Sequence, residues 1–132
     1  MNIIIRDEIE GKLIEGAGMV WELTDTFIVI VDGTPIIVPK GFKTNFASVP
    51  KAFHSVISQI GKHAPAAVVH DWLYYFHIYN RKYADFVFLE IMKHLGVTLW
   101  KRQAMYYAVR VFGWVAWNAN ARKNECYPND KA

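Results

Sequence analysis

The spacing of hydrophobic positions changes along the chain, and its first part has the pattern of β-strands. Residues 26–31 and 34–38 are two apolar runs rich in Ile and Val, and Asp32-Gly33 lies between them. An Asp-Gly pair between two such runs is typical of a β-hairpin. Because Pro35 has no backbone N–H to donate, we expect the returning strand to lie at a sheet edge. Further short strands are predicted at residues 3–5, 12–15 and 19–23.

After Pro50 the spacing becomes helical. Between Tyr83 and Leu95 the apolar residues recur every three or four positions, which predicts an amphipathic helix. Four helices are expected, at residues 51–60, 64–78, 83–95 and 99–119. The sequence therefore predicts an α+β fold, with a small N-terminal antiparallel β-sheet or meander followed by a C-terminal bundle of about four helices.

Length and composition favour a single domain over residues 1–132. The chain has 132 residues, of which 53% are hydrophobic, enough to form a core without disulfides or metals. We divide it into a β-rich part with a loop at residues 1–48, a helical part at 50–122 and a polar tail at 123–132.

Charge and cysteine content restrict the possible environments. The formal net charge of +3 is too small to indicate nucleic-acid binding, although it is compatible with a mildly basic face meeting an anionic surface. Cys126 is the single cysteine, so no intrachain disulfide is expected. The charged residues 6–8 follow the first apolar run at once, and no run reaches the length of a membrane span. We expect neither a signal peptide nor a transmembrane segment.

The last predicted helix is unusually aromatic and contains Trp100, Tyr106, Tyr107, Phe112, Trp114 and Trp117. Arg110 interrupts this aromatic series and Gly113 weakens the helix. Helical spacing of apolar residues usually marks a face that packs in the core, and we expect core packing here. Contact with a membrane surface is the alternative.

The helix predicted around residues 64–78 carries a His-Asp pair in apolar surroundings. Nearly every other position near His70 and Asp71 is apolar, so this helix should be buried. A buried charge needs a compensating group. The pair is therefore either structural, fixing the packing through hydrogen bonds, or a general base beside a cation ligand.

Asp85 is the carboxylate that could complete this arrangement. A short turn at residues 80–81 would make the helices before and after it antiparallel. If the first helix ends near Phe76, Asp85 should lie within hydrogen-bonding reach of His70, about 2.6–3.2 Å. Asp85 would then orient the imidazole while its other nitrogen takes a proton from water. A calcium ion at Asp71 would require additional oxygen ligands.

Residues 38–50 form a predicted loop before the helices. Its polar residues Thr44, Asn45 and Ser48 lie among the aromatic residues Phe42 and Phe46, which we expect to be buried. Such a loop can line a site close to the helix of His70. It can also be a plain connection in which Asn45 or Ser48 caps the following helix, and we rank this role first.

The His-Asp-x-x-Tyr motif at residues 70–74 and the Ala-Asp-x-x-Phe motif at 84–88 resemble the helix pair of the phospholipase A2 superfamily. The resemblance implies that His70 is the base, that Asp71 binds calcium, and that Tyr74 and Asp85 hold His70. The glycine-rich calcium loop of that superfamily has no counterpart upstream of these motifs.

Longer motifs are similar to a family of small phage and prophage proteins that is catalogued as a domain of unknown function. They are Val-Pro-x-Gly-Phe-x-Thr-Asn-Phe-Ala-Ser-Val-Pro at 38–50, Ala-Ala-Val-Val-His-Asp-x-Leu-Tyr at 66–74, Ala-Asp at 84–85 and Met-Tyr-x-Ala-Val-Arg-x-Phe-Gly at 105–113. The resemblance implies a phage or prophage origin. The family usually has Asp at the position of Asn45.

Two functions follow from these patterns. In one, the chain is a phage or prophage virion or accessory protein, found in the virion or the host cytoplasm, that binds other phage proteins or itself. His70, Asp71, Tyr74 and Asp85 are then architectural. In the other it is a calcium-dependent, phospholipase A2-like hydrolase acting on the host envelope, with His70, Tyr74 and Asp85 catalytic and Asp71 binding the metal. The sequence leaves open whether the protein is an enzyme.

Overall fold

The computed structural model describes residues 1–14, 20–44 and 64–123. In these ranges the chain forms two three-stranded antiparallel sheets followed by four helices, which confirms the predicted α+β fold. The first sheet contains β1 (Ile3–Ile5), β4 (Phe27–Val31) and β5 (Thr34–Val38), in the order β1-β4-β5. The second contains β2 (Gly11–Leu13), β3 (Trp21–Leu23) and β6 (Lys43–Thr44), in the order β2-β3-β6.

The hairpin between β4 and β5 forms where the Asp-Gly pair predicts it. Asp32 and Gly33 both have positive φ, 49° and 83°, as a tight two-residue hairpin turn requires. The register pairs Val31 with Thr34 and Ile30 with Pro35. Pro35 therefore lies on an edge strand of this sheet, as its missing N–H predicts.

The two faces of the first sheet differ in burial. The inward face of β4 and β5 is buried, and it consists of Phe27, Val29, Val31, Ile36 and Val38. On the other face, Ile28 and Ile37 are 40% and 50% exposed. The inward residues belong to one hydrophobic core that also includes Trp21 and Leu23 of the second sheet and residues of the first three helices.

The four helices are α1 (Ala64–Phe76), α2 (Arg81–His94), α3 (Leu99–Phe112) and α4 (Trp114–Lys123). Helix α1 packs against α2, α4 and β5, and its residues from Ala64 to Asp71 are all buried. Pro65 lies in its first turn, where a missing N–H removes no helical hydrogen bond. This central position explains why α1 is apolar nearly all round.

Several helix boundaries differ from the prediction. Helix α2 spans Arg81–His94 rather than 83–95, and α4 ends at Lys123 rather than at residue 119. Helix α1 ends at Phe76 rather than Ile78, because His77 has a φ of 52°, outside the helical region. The long helix predicted at residues 99–119 is divided at Gly113 into α3 and α4. The helix predicted at residues 51–60 and the tail after residue 123 lie outside the described residues.

The prediction that the aromatic residues of the last helix pack in the core is wrong for most of them. Trp100, Tyr107, Phe112 and Trp114 are 70%, 63%, 62% and 54% exposed. Within α3 the buried residues are Met105 and Val109. The physical reason is that one face of α3 suffices to contact α2, which leaves the remaining aromatic positions in solvent. Among the helices described, none is long and apolar enough to cross a membrane.

Candidate functional site

The turn between α1 and α2 determines which candidate site residues of the two helices lie opposite each other. His77 leaves the helical conformation, and Asn80 begins α2 by accepting a hydrogen bond on its side chain from the backbone N–H of Tyr83 at 2.8 Å. Such capping by Asn satisfies a backbone donor of the first turn. Because α1 ends at Phe76, Asp85 on α2 lies opposite His70 on α1.

One oxygen of the Asp85 carboxylate accepts two hydrogen bonds from α1. His70 Nε2 lies 2.7 Å from Asp85 Oδ1, and the Tyr74 hydroxyl donates to the same oxygen at 2.6 Å. The predicted contact between His70 and Asp85 is therefore confirmed. His70 and Tyr74 reach one oxygen because they lie one turn apart on the same helix face. All three residues are fully buried, with 0% exposure.

The other oxygen of Asp85 faces two arginines. Arg110 Nη1 of α3 donates to Asp85 Oδ2 at 2.7 Å, and Arg81 Nη1 lies 3.4 Å from the same atom. Sequence reasoning did not identify either arginine as a site residue. A signal was present for both: Arg110 interrupts an otherwise aromatic helix, and Arg81 precedes Asp85 by four residues, the spacing of an intrahelical ion pair.

Arg81 also joins the start of α2 to the end of α3. Its guanidinium donates to the backbone oxygens of Val109 at 3.0 Å and Arg110 at 3.2 Å. The Val109 oxygen also accepts from the Gly113 backbone N–H at 2.8 Å, so Arg81 adds a second donor there. A cation at the end of a helix also meets the negative end of the helix dipole. We call His70, Tyr74, Arg81, Asp85 and Arg110 the Asp85 network.

The surroundings set the charge states within this network. Burial acts to raise the pKa of Asp85, but hydrogen bonds and charge from His70, with hydrogen bonds from Tyr74 and Arg110, outweigh burial and lower it. Burial, aided by the hydrogen bond to Asp85, raises the pKa of Tyr74 far above its ordinary value. Asp85 is therefore a carboxylate at neutral pH, and Tyr74 keeps the proton that it donates.

Aromatic rings hold the plane of the His70 imidazole. Its centroid lies 4.2 Å from that of Tyr74 and 4.6 Å from that of Phe88. Since Phe88 comes from α2 and Tyr74 from α1, the ring is packed between both helices. Its orientation is fixed by these contacts as well as by Asp85.

Asp71 makes a different contact on the next position of α1. Its Oδ2 accepts a hydrogen bond from the Thr44 hydroxyl, and Thr44 is 2% exposed. Thr44 ends β6, so this bond connects the second sheet to α1. Thr44 therefore lies in a strand rather than in the predicted loop, and the structure confirms that it lies against the helix of His70. Asn45, Phe46 and Ser48, the other predicted loop residues, lie outside the described residues.

Phe42 places this end of the loop against α1. Its ring is half-buried rather than buried as predicted, because it lies beside an open cleft. It makes edge contacts with Trp72, at a centroid distance of 5.1 Å, and with Tyr75, at 6.1 Å. A cleft of about 400 Å³ opens beside these rings. It is lined by Pro39, Lys40, Gly41, Phe42, Lys43, Trp72, Tyr75 and Phe76.

The described residues offer few ligands for a metal ion at Asp71. Within residues 1–14, 20–44 and 64–123, no three side chains of His, Cys, Asp or Glu converge as a metal site would require. Calcium commonly takes six to eight oxygen ligands. A calcium ion at Asp71 would thus depend on backbone carbonyls, water or residues beyond these ranges.

A family model matches the chain over residues 21–109, and its description is "Protein of unknown function (DUF1353)". The chain belongs to this family. The matched range runs from β3 into α3 and includes Thr44, His70, Asp71, Tyr74 and Asp85, whereas Arg110 lies one residue beyond it. No curated protein and no solved structure matches the chain. The likeness to the phospholipase A2 superfamily stays a prediction.

Proposed function

We propose that this DUF1353 chain is a phage or prophage accessory or virion protein in which the Asp85 network is architectural. The observation that carries the architectural role is complete burial: His70, Tyr74 and Asp85 are each 0% exposed, and both oxygens of Asp85 are hydrogen-bonded. The phage origin rests on the motif resemblance at residues 38–50, 66–74 and 105–113.

Burial argues against a catalytic role for the imidazole. A general base must lie within hydrogen-bonding reach of the proton that it removes, directly or through one water. The His70 side chain has no solvent-accessible surface and is packed between the rings of Tyr74 and Phe88. The donors to Asp85 come from α1, α2 and α3, so the carboxylate joins three helices at one point. A buried, fully hydrogen-bonded network of this kind can specify one packing arrangement.

Asp85→Asn in the full chain tests the architectural role. Removing the negative charge leaves His70 and two arginines around a neutral amide, and the loss of one member of a buried ion pair costs about 3–5 kcal/mol. We expect a much lower melting temperature, and no calcium-dependent ester hydrolysis by the unmutated protein. Asp7→Asn is the matched control, because Asp7 is exposed. Unchanged melting of Asp85→Asn would contradict the proposal.

The phage assignment has its own test. Particles induced from a lysogen that carries this gene are purified, and the protein is quantified in particles and in the cell lysate by mass spectrometry. Expression from the induced prophage supports the phage origin, and the distribution separates a virion protein from an accessory protein of the host cytoplasm. Expression that does not depend on induction, with no protein in particles, would contradict the assignment.

A calcium-dependent hydrolase that resembles phospholipase A2 is the second candidate. The observation that favours it is the shared acceptor: His70 Nε2 and the Tyr74 hydroxyl meet on Asp85 Oδ1, which would orient an imidazole for proton transfer through its other nitrogen. Asp71, next to His70, would bind calcium. Phospholipid hydrolysis that requires calcium and disappears in both His70→Gln and Asp71→Asn, with folding retained, would replace the architectural proposal.

A further inference from the structure

Helix α3 has two apolar faces, of which the core uses one. Met105 and Val109 form the buried face, with 1% and 0% exposure. The positions Trp100, Ala104, Tyr107 and Val111 follow a spacing of four, three and four residues. That spacing places them along one side of a helix, turned away from Met105 and Val109.

The second face is open to solvent and continues past Gly113. Trp100, Tyr107 and Val111 are 70%, 63% and 58% exposed, and Trp114 and Val115, three and four residues after Val111, are 54% and 58% exposed. We call these five residues the outer apolar face. Within α3, from Trp100 to Val111, it is roughly 17 Å long from the rise per residue. A row of large apolar side chains on a surface usually marks an interaction site.

The charge of the surrounding segment indicates what this face binds. Residues 91–123 contain six Lys and Arg residues and no Asp or Glu. Lys101 Nζ lies 5.7 Å from the centre of the Trp100 ring, so a cation accompanies the first aromatic residue of the face. A segment that has exposed aromatic residues and cations but no carboxylate is complementary to a surface that is both apolar and negatively charged.

An anionic lipid bilayer has both of these properties. Trp and Tyr favour the boundary between hydrocarbon and headgroups, where an apolar ring and a polar N–H or O–H are both accommodated. Lys and Arg near the surface are attracted to anionic headgroups. A helix with an apolar face and cationic flanks lies in the plane of the interface.

A second copy of the chain fits the same face less well. Pairing two outer apolar faces would bring two segments of residues 91–123 together. Apart from Arg110, which pairs with Asp85, each segment carries five cations and no carboxylate to form an ion pair across the contact. Like charges placed together destabilise such an interface. A lipid surface supplies the missing negative charge.

We propose that the outer apolar face binds the surface of an anionic lipid bilayer, with α3 lying parallel to the membrane plane. The proposal does not depend on the role of the Asp85 network, since Trp100, Tyr107, Val111, Trp114 and Val115 take no part in it. It describes peripheral binding, because none of the described helices could span a membrane.

Co-sedimentation of the full chain with vesicles tests this proposal. One vesicle preparation contains phosphatidylcholine alone, and the other also contains phosphatidylglycerol. We expect binding to the anionic vesicles, weakened by added salt because exposed charges are screened, and little binding to the neutral ones. The double variant Trp100→Ser and Tyr107→Ser should bind about tenfold more weakly or worse, as expected when two buried aromatic contacts are lost.

The variants separate lipid contact from general loss of stability. Ile37→Ser is the matched control, because it removes a 50% exposed apolar residue from the sheet and should leave binding unchanged. Lys101→Glu should weaken binding to anionic vesicles while the melting temperature stays the same. Melting curves of all variants verify that the chain remains folded.

Three results would overturn the proposal. The first is absence of binding to anionic vesicles by the folded protein. The second is a dimer in sedimentation velocity that the Trp100→Ser and Tyr107→Ser variant abolishes, which would assign the face to a second copy. The third is binding to a single-stranded oligonucleotide, but not to vesicles, that is lost in the same variant. None of these results changes the melting behaviour expected of Asp85→Asn, so the two proposals fail independently.

Discussion

His70 Nε2 lies 2.7 Å from Asp85 Oδ1, across the interface of two helices that meet at a four-residue connection. Neither side chain is accessible to solvent. The contact exists because α1 ends early, at Phe76, and brings the second turn of α2 level with the middle of α1. It is the point at which α1 and α2 are joined by a charged group, and Arg110 extends the connection to α3.

Acid should remove the stabilisation that Asp85 provides. Burial acts to raise the pKa of Asp85, but His70, Tyr74 and Arg110 outweigh it, so the pKa is lower in the folded chain than in the unfolded one. Below about pH 4 the unfolded chain therefore binds the additional proton, and stability falls as the pH falls. The unmutated protein should have a higher unfolding free energy than Asp85→Asn. This difference should be largest above about pH 4 and should decrease as the pH falls below that value. Urea titrations across this range measure it, and a constant difference would contradict the prediction.

Arg110 should contribute more to stability than another arginine of the same helix. Its Nη1 donates to the buried Asp85 carboxylate at 2.7 Å, whereas Arg102 Nη1 donates to the neutral carbonyl of Val97 at 3.0 Å. Both bonds have a charged donor, but only that of Arg110 has a buried carboxylate as its acceptor, and removing one partner of a buried ion pair leaves the other charge less compensated. Arg110→Gln should therefore lower the free energy of unfolding by more than Arg102→Gln. If chemical denaturation gave the same loss of unfolding free energy for both variants, the ion pair between Arg110 and Asp85 would contribute little to stability.

The bond between Thr44 and Asp71 should make Asp71 a structural residue. Asp71→Asn removes a charged acceptor from a buried bond, which costs about 1–3 kcal/mol. If the bond connects β6 to α1, Thr44→Val and Asp71→Asn should be coupled in a double-mutant cycle. We expect a lower melting temperature for Asp71→Asn. Calcium should change the melting temperature of neither the unmutated protein nor this variant.

Melting in the presence of calcium tests the alternative role of Asp71 as a metal ligand with the same variant. A ligand that binds only the folded state raises its apparent stability. Calcium-dependent stabilisation of the unmutated protein that is absent in Asp71→Asn would assign Asp71 to a metal site and favour the hydrolase.

Gly113→Ala should destabilise the chain even though alanine favours helices. Helix propensity alone predicts a gain of about 0.8–1 kcal/mol for this change. A Cβ at Gly113 would, however, overlap the Val109 carbonyl oxygen and the Tyr74 hydroxyl. Overpacking of this kind costs about 1–3 kcal/mol. Thermal melting shows whether Gly113→Ala raises or lowers the stability of the chain. Gln103→Ala is the control for helix propensity, at a half-buried position of α3. A stabilised Gly113→Ala would show that α4 can move away from Tyr74 without loss.

The sequence by itself determined the features that depend on short-range spacing. The Asp-Gly turn and the apolar runs around it predicted the hairpin of β4 and β5, because side-chain alternation and turn conformation are local properties. The contact of His70 with Asp85 was also predictable. It requires two helices joined by a short turn, a first helix that ends near Phe76, and a buried imidazole that needs an acceptor.

Tertiary structure decided the features that depend on which surfaces meet. Arg110 is 25 residues from Asp85, and no local rule relates the two positions. The outer apolar face shows the same limit. The spacing in α3 permits two apolar sides, one containing Met105 and Val109 and the other Trp100 and Tyr107, and periodicity does not rank them. Packing against α2 buried the first side, because a helix at the outside of a bundle contacts its neighbours along one face and leaves the other in solvent.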